Sequence, residues 1–369
     1  RLARWGARLS HEEGRGWTVE LPAEGDAEAA YRVQRVAGDG DAVPAAALDL
    51  VAAFARTGEL LPRLERGDAG PPEVELEQVG RGSTAAAVVR RAIAAATLRL
   101  VAHDPGVRLG GDPEAVHQAR VAVRRLRSDL RTFAPLMLPG WSDPLREELR
   151  WIGGELGRVR DAEVLAEEVE RAVARLPERD RAAGGDLVVD LRAEIVQARE
   201  RLLESMRSPR YLELLEHLVR ASHTPMLLPA AEQPARRLLP GLVSRPWRRL
   251  RRDARRLRGG ASDAELHRLR IRAKRARYAA EAGTPVLGKR AAGFAKAVAR
   301  LQDVLGTHHD AVVAAERLRV MAGDGRPAFA AGQLWGVERE TAEASRADWP
   351  TAWKAARRRR LRSWMRAGG

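Results

Sequence analysis

The chain has 369 residues, no cysteine and a formal charge of +15, and hydrophobic residues make up 45% of it. This composition excludes a disordered tail, a disulfide framework and thiolate metal sites. No run of about 18 apolar residues is present, which excludes a membrane-spanning helix.

The opening RLARWGARLSHEEG has neither a hydrophobic signal core nor an initiator Met, as expected of a fragment. Residues 1–83 hold 10 Arg against 15 Asp and Glu, a net of −5, so the rest of the chain carries +20. Such an excess implies a polyanionic partner, with nucleic acid, anionic lipid and polyphosphate all open on charge alone. Only four of the 65 cations are Lys. Arg suits bidentate phosphate recognition, although a GC-rich genome yields the same bias.

In chain order, WTVEL and YRVQRV alternate apolar and polar residues, as half-buried strands do. AVPAAALDLVAAFARTGEL reads as a helix opened by Pro44 and closed near Gly58. GDAGPPEVELEQVGRGS reads as a linker in which PEVELEQV is a candidate further strand. From Thr84 onward helical periodicity dominates, with helices expected over 84–103, 113–134, 142–176, 186–206 and 209–221. After the break TPMLLPAAEQP, helices are expected over 235–257, 262–282, 289–322, 327–346 and 350–366. Five helices, a break and five more make two halves that superpose. His117 matches His267, and LGRVRDAEVL at 156–165 matches LGTHHDAVVA at 305–314. SPRYLELLEHL near 208 loosely matches ADWPTAWKAAR near 347. Offsets of 150 and 149 at the first two pairs indicate an internal duplication of bundle-sized units.

HQARVAVRRLR at 117–127 and HRLRIRAKRAR at 267–277 share a histidine followed by cations three, seven and ten positions later. At 100° per residue, with His117 at 0°, Arg120, Arg124, Arg127 and Arg131 fall between about 280° and 340°. Ala119, Val123, Leu126 and Leu130 occupy about 180° to 240°, a core-facing seam. The second helix repeats the pattern: Arg270, Lys274 and Arg277 form the cationic stripe, and Leu269, Ala273, Ala276 and Ala280 form the seam. Cations at this spacing span about 15 Å of helix axis and repel one another. A solvated face usually mixes signs, so a stripe of one sign in both halves points to anion binding.

His308, His309 and Asp310 suit metal ligation beside His267, but the first half has Arg158, Arg160 and Asp161 at those places. A duplicated site with Arg at a ligand position is a poor metal site, so neither a metal nor a cofactor is expected. Asp161 and Asp310 read instead as partners that orient the arginines of the histidine helices. Further cations crowd RPWRRLRRDARRLR at 245–258 and KAARRRRLR at 354–362.

HxxRVxxRRLR followed by LGxxRD, repeated as LHRLRxxxKRxRYAxE and LQDxLGxxHD, resembles the CHAD domain, the conserved-histidine α-helical domain, over roughly residues 84–366. The resemblance implies two helical bundles related by pseudo-two-fold symmetry, with inorganic polyphosphate bound in a basic groove between them. By position, the implied binding residues are His117, Arg120, Arg124, Arg127, Arg131, Arg160, His267, Arg270, Lys274, Arg277 and His309. Arg125 and Arg275 lie near 80° on the wheel, away from the stripe.

ARWGARLSHEEGRGWTVELP resembles the second and third strands of a CYTH domain, the triphosphate-tunnel fold. The departures are large: the opening Glu-x-Glu-x-Lys strand is absent, Glu20 stands where the pattern favours lysine, and the closing strands are missing. Triphosphatase activity is therefore not expected. The whole reads as a mainly all-α protein with a small incomplete α+β CYTH-like segment at 1–68, a linker at 69–83, and helical bundles at 84–222 and 235–369. The expected function is non-catalytic polyphosphate binding, in the cytoplasm and at polyphosphate granules. Nucleic-acid binding through the same surface is the alternative, but the histidine helices carry only Phe133 and Tyr278, near their ends, as aromatics for base stacking. A degenerate triphosphatase is a further alternative.

Overall fold

The computed structural model describes residues 7–12, 16–21, 32–37, 43–55, 74–257, 260–321 and 326–366. Three antiparallel strands come first: β1 (Arg8–Glu12), β2 (Gly16–Leu21) and β3 (Arg32–Val36), with β2 central. The register sets Arg8 opposite Glu20 and Leu21 opposite Arg32. Strand alternation places Trp17, Val19 and Leu21 in the interior, in one apolar cluster with Leu50, Val51 and Phe54 of α1 (Ala45–Ala55) except for Trp17. Strands are thus present over WTVEL and RVQRV, followed by the helix, while Tyr31 and the expected helix end near Gly58 lie outside the described residues. PEVELEQV is not a strand over its described part, 74–79. Glu77 instead accepts from Arg90 Nε at 2.9 Å, and its carbonyl accepts from Arg91 at 2.8 Å.

Nine helices follow among the described residues. The first half holds α2 (Ala85–Leu109), α3 (Pro113–Phe133), α4 (Ser142–Val173), α5 (Glu178–Arg207) and α6 (Pro209–His223). The second holds α7 (Ala235–Arg256), α8 (Asp263–Leu287), α9 (Lys289–Met321) and α10 (Arg326–Ala356). The five-plus-five expectation is corrected at the end: Pro350 lies inside α10, and only short 3₁₀ turns occupy 359–361 and 363–366. Helices α2 and α8 also run beyond the expected ends at 103 and 282, through Pro105 and Pro285. Their true terminators are Gly110 and Gly288, whose φ of 75° and 67° an L side chain rarely adopts.

Backbone pairing marks the duplication. Ala85 N donates to Gln233 O at 3.0 Å, and Ala235 N donates to Ser83 O at 2.9 Å. The two bonds are exchanged by the 150-residue offset, so the starts of the two units face each other across a local pseudo-two-fold axis. The α1 segment is tied to the first unit through Asp49, which accepts from Arg108 at 2.6 Å and Arg207 at 3.0 Å. Arg108 also donates to the buried Asp104 at 2.6 Å, and the Tyr211 hydroxyl donates to the same carboxylate at 2.8 Å. Complete pairing of this kind is what a buried charge requires.

The first unit's apolar core takes in Leu239 and Leu242 of α7 and Val286 of α8, and the rest of the second unit has its own core around Trp247, Phe294, Trp349 and Trp353. The two units meet in two places. Helices α3 and α8 pack on each other near the axis, and the far ends of α4 and α5 share a third apolar cluster with α9 and α10 through Val169, Leu187, Leu318 and Leu334. Arg317 and Glu194 form an ion pair across this far junction. Between the two junctions lies open space, walled by α4 and α9.

Candidate anion-binding cleft

Local sequence explains why α3 and α8 present their cations here. Asp112 caps α3 by accepting from Glu114 N at 2.9 Å, with Pro113 at the first helical position. Ser262 and Glu265 form a capping box at the start of α8. The seams Ala119, Val123, Leu126, Leu130 and Leu269, Ala273, Ala276, Ala280 are all buried. Burying each seam fixes the rotation of its helix, and the bordering stripe then faces the gap between the units.

A cavity of about 340 Å³ occupies that gap. It is lined by His117, Arg120 and Arg124 from α3, Arg160 from α4, Arg270 from α8, and His309 from α9. His267 and Lys274 adjoin it. His267 Nδ1 lies 3.1 Å from His309 Nδ1, so one ring must accept while the other donates. Burial, together with Arg270, His267 and Lys274, pushes His309 down to about 4. Burial, with Arg270, Arg124 and Arg120, pushes Lys274 down to about 7, against the opposing pull of Asp310. His117 is lowered by burial and by Arg160, Arg124 and Arg120, although Glu114 opposes the shift. These shifts describe a site with more positive charge than its own acids balance.

Asp161 and Asp310 orient the arginines. Arg120 Nη1 donates to Asp161 at 2.9 Å, and Arg270 Nη2 lies 3.5 Å from Asp310. Nε of Arg124 and Nε of Arg270 are buried without an acceptor among the described residues. A buried, unsatisfied donor is costly, and here two of them border one cavity. Among the described residues no three His, Asp or Glu side chains gather as metal ligands would.

Three of the stripe residues lie elsewhere. Arg127 sits against Gly153 of α4, beside Arg146 and Arg150. Arg131 lines a separate pocket between α3, α7 and α8. Arg277 donates to Glu281 at 2.6 Å and faces another cavity, of about 540 Å³, beside α2. The physical reason is axial: ten to fourteen residues carry a side chain about 15–21 Å from the histidine, beyond the mouth of the gap. Arg125, set aside on the wheel, bridges the units instead, donating to Asp129 at 2.9 Å and to Glu281 of α8 at 2.6 Å.

Sequence reasoning missed Gly157 and Gly306. A Cβ at Gly157 would lie 3.2 Å from Arg120 Nη1, and one at Gly306 would lie 3.6 Å from Arg270 Nε. Gly157 lets Arg120 lie close on the neighbouring backbone, whereas a Cβ at Gly306 would make ordinary contact with Arg270, and the signal was the LG shared by both motifs. Glu168, also on the wall, was missed because nothing in the first motif points to it. Burial and Glu338 push it up to about 7.

Comparisons with known proteins agree with this architecture. The CHAD domain family model matches residues 91–319. Uncharacterized proteins from two strains of Mycobacterium tuberculosis are each 31% identical over 274 residues, 70% of this chain and 51% of theirs. The chain thus spans about half the length of the curated relatives it matches. PptA from Streptomyces chartreusis superposes with a TM-score of 0.63 at 24% identity, covering 74% of this chain and 100% of that one. The crystal structure of the CHAD domain from the plant Ricinus communis superposes with a TM-score of 0.56 at 24% identity, covering 82% and 98%. At that identity the two structures bear on the fold alone. With two matched units, a histidine helix in each and a family model spanning most of both, the chain belongs to the CHAD domain family.

Proposed function

We propose that the chain binds inorganic polyphosphate, without catalysis, in the cleft between its two helical units. The observation that carries this reading is the convergence of Arg120, Arg124, Arg160 and Arg270 on one gap, where two arginine Nε donors lack acceptors. A linear polymer with one charge per internal phosphate supplies such acceptors in series, and arginine forks contact adjacent oxygens. The aspartates support binding rather than chemistry, since each is engaged in holding an arginine. The three N-terminal strands have no part in the reading.

The test is a competition titration at one fixed salt concentration, with long-chain polyphosphate, triphosphate, single-stranded DNA and duplex DNA as competitors. Long-chain polyphosphate should win at equal phosphate concentration, with affinity rising with chain length. Preference for DNA, or equal affinity for triphosphate and long chains, would overturn the proposal.

A further inference from the structure

The pseudo-two-fold axis relates two further cavities, the first adjoining the cleft at His117 and Arg124 and the second sharing no residue with it, and their chemistry has diverged. One, of about 540 Å³, lies between α2, α3 and α8, and the other, of about 200 Å³, lies between α7, α8 and α3. Adding 150 to a residue of one unit, or subtracting it from the other, carries the first lining onto the second. Arg99 maps to Arg249, Arg125 to Arg275, and Pro285 to Pro135. In the first cavity Asp129 and Glu281 neutralise two of the lining arginines: Arg125 donates to both, and Arg277 donates to Glu281. At the same places the second cavity has Ala279 for Asp129 and Arg131 for Glu281. It also gains Arg245 where the first has Ala95, and Arg272 where the first has Ala122.

No carboxylate lines this second pocket. Arg272 is held by Asp253 at 2.9 Å, whereas Arg131, Arg245, Arg249 and Arg275 have no acidic partner among the described residues. Ser128 and Thr132 complete the polar lining with hydroxyls. The crowding registers on the arginines themselves. Burial, with Arg275, Arg146, Arg127 and Arg150 nearby, pushes Arg131 down to about 10. Burial, with Arg272, Arg249 and Arg146, also lowers Arg275.

We propose that this pocket is a second anion site, separate from the cleft, for a compact oxyanion of the orthophosphate or pyrophosphate class. Its five arginines and the Ser128 hydroxyl can donate, while the Thr132 hydroxyl is spent on the Ser128 carbonyl at 2.9 Å, and arginine forks match phosphoryl oxygens. About 200 Å³ equals the space of roughly seven waters at about 30 Å³ each, room for one or two phosphoryl groups. The inference does not depend on what the cleft binds.

The experiment titrates inorganic pyrophosphate into the wild-type chain, into a pocket variant (Arg249→Gln with Arg275→Gln), and into a cleft variant (Arg120→Gln with Arg270→Gln). Phosphorus NMR line-broadening reads the binding, and circular dichroism checks the fold. The pocket variant should lose pyrophosphate affinity about tenfold or more, with long-chain polyphosphate affinity within about twofold of wild type. The cleft variant should retain the pyrophosphate site. Arg245→Gln alone, at an exposed position, carries the same test if the double variant folds poorly. Unchanged pyrophosphate binding in both pocket variants would overturn the proposal. So would a loss of long-chain polymer equal to that of the cleft variant, since the pocket would then be a stretch of the polymer's track.

Discussion

Arg120 donates a single nitrogen, Nη1, to both the Gly157 carbonyl and the Asp161 carboxylate, each at 2.9 Å. In the other unit only the carboxylate half recurs, with Arg270 Nη2 3.5 Å from Asp310. Arg120 is therefore held by a neighbouring helix on which a Cβ at Gly157 would press within 3.2 Å of it, and this separates binding from stability. Gly157→Ala should keep or raise the thermal midpoint, because alanine favours a helix interior by roughly 0.5–1 kcal/mol. It should also weaken polyphosphate binding several-fold, because the new Cβ displaces the guanidinium. Calorimetric melting and a binding titration on one preparation check both halves. Unchanged affinity would mean that Arg120 finds its place without α4.

Lys274 makes binding depend on pH. Depressed to about 7 by burial and by Arg270, Arg124 and Arg120, it is about half protonated at neutral pH, with Asp310 partly offsetting that field. A polyanion favours the charged form and raises its pKa, so binding takes up protons. Affinity should fall as pH rises from about 6 to about 8. Lys274→Arg, which stays charged, should flatten this window. Titration calorimetry in buffers of different ionisation enthalpy measures the uptake, and zero uptake in the wild type would contradict the account.

The Arg125 bridge gives a stability prediction. Asp129 is buried, and burial, only partly offset by Arg125, raises its pKa to about 6. Arg125→Met leaves that carboxylate without its cation and should cost about 3 kcal/mol near pH 8. The sign follows from proton binding: an acid with a raised native pKa holds more protons folded than unfolded between about pH 4 and 6. Stability from this group therefore falls as pH rises through that window. Removing Arg125 raises the native pKa further, so the deficit of the variant should shrink at pH 5. Urea unfolding at pH 5 and pH 8 checks it, and equal deficits would show that Asp129 does not carry the effect.

The stripes and seams were legible because a wheel angle depends only on spacing, and burial of eight seam residues then aims the stripes. What the wheel lacks is position along the axis relative to the helix crossing. Arg127, Arg131 and Arg277 have the right direction and the wrong height. Arg125 has the wrong direction for the cleft and the right one for a bridge to α8. Prolines 105, 285 and 350 lie inside their helices because one lost N–H need not end a helix, whereas Gly110 and Gly288 end theirs by conformation. Gly157 stood in the motif, but its role exists only once an arginine from another helix lies on it.

The most direct test compares two quadruple variants that each lower the formal charge of +15 by four. One replaces Arg120, Arg124, Arg270 and Lys274 by Gln, and the other replaces Arg357, Arg358, Arg359 and Arg360 by Gln. The measured quantity is long-chain polyphosphate affinity at fixed salt, with helicity checked by circular dichroism. Charge-assisted hydrogen bonds contribute about 1.5–3 kcal/mol each, so the cleft variant should lose about 100-fold or more while the tail variant stays within a few-fold of wild type. Equal losses in two folded variants would contradict the account, since the polymer would then be responding to overall charge and not to the cleft.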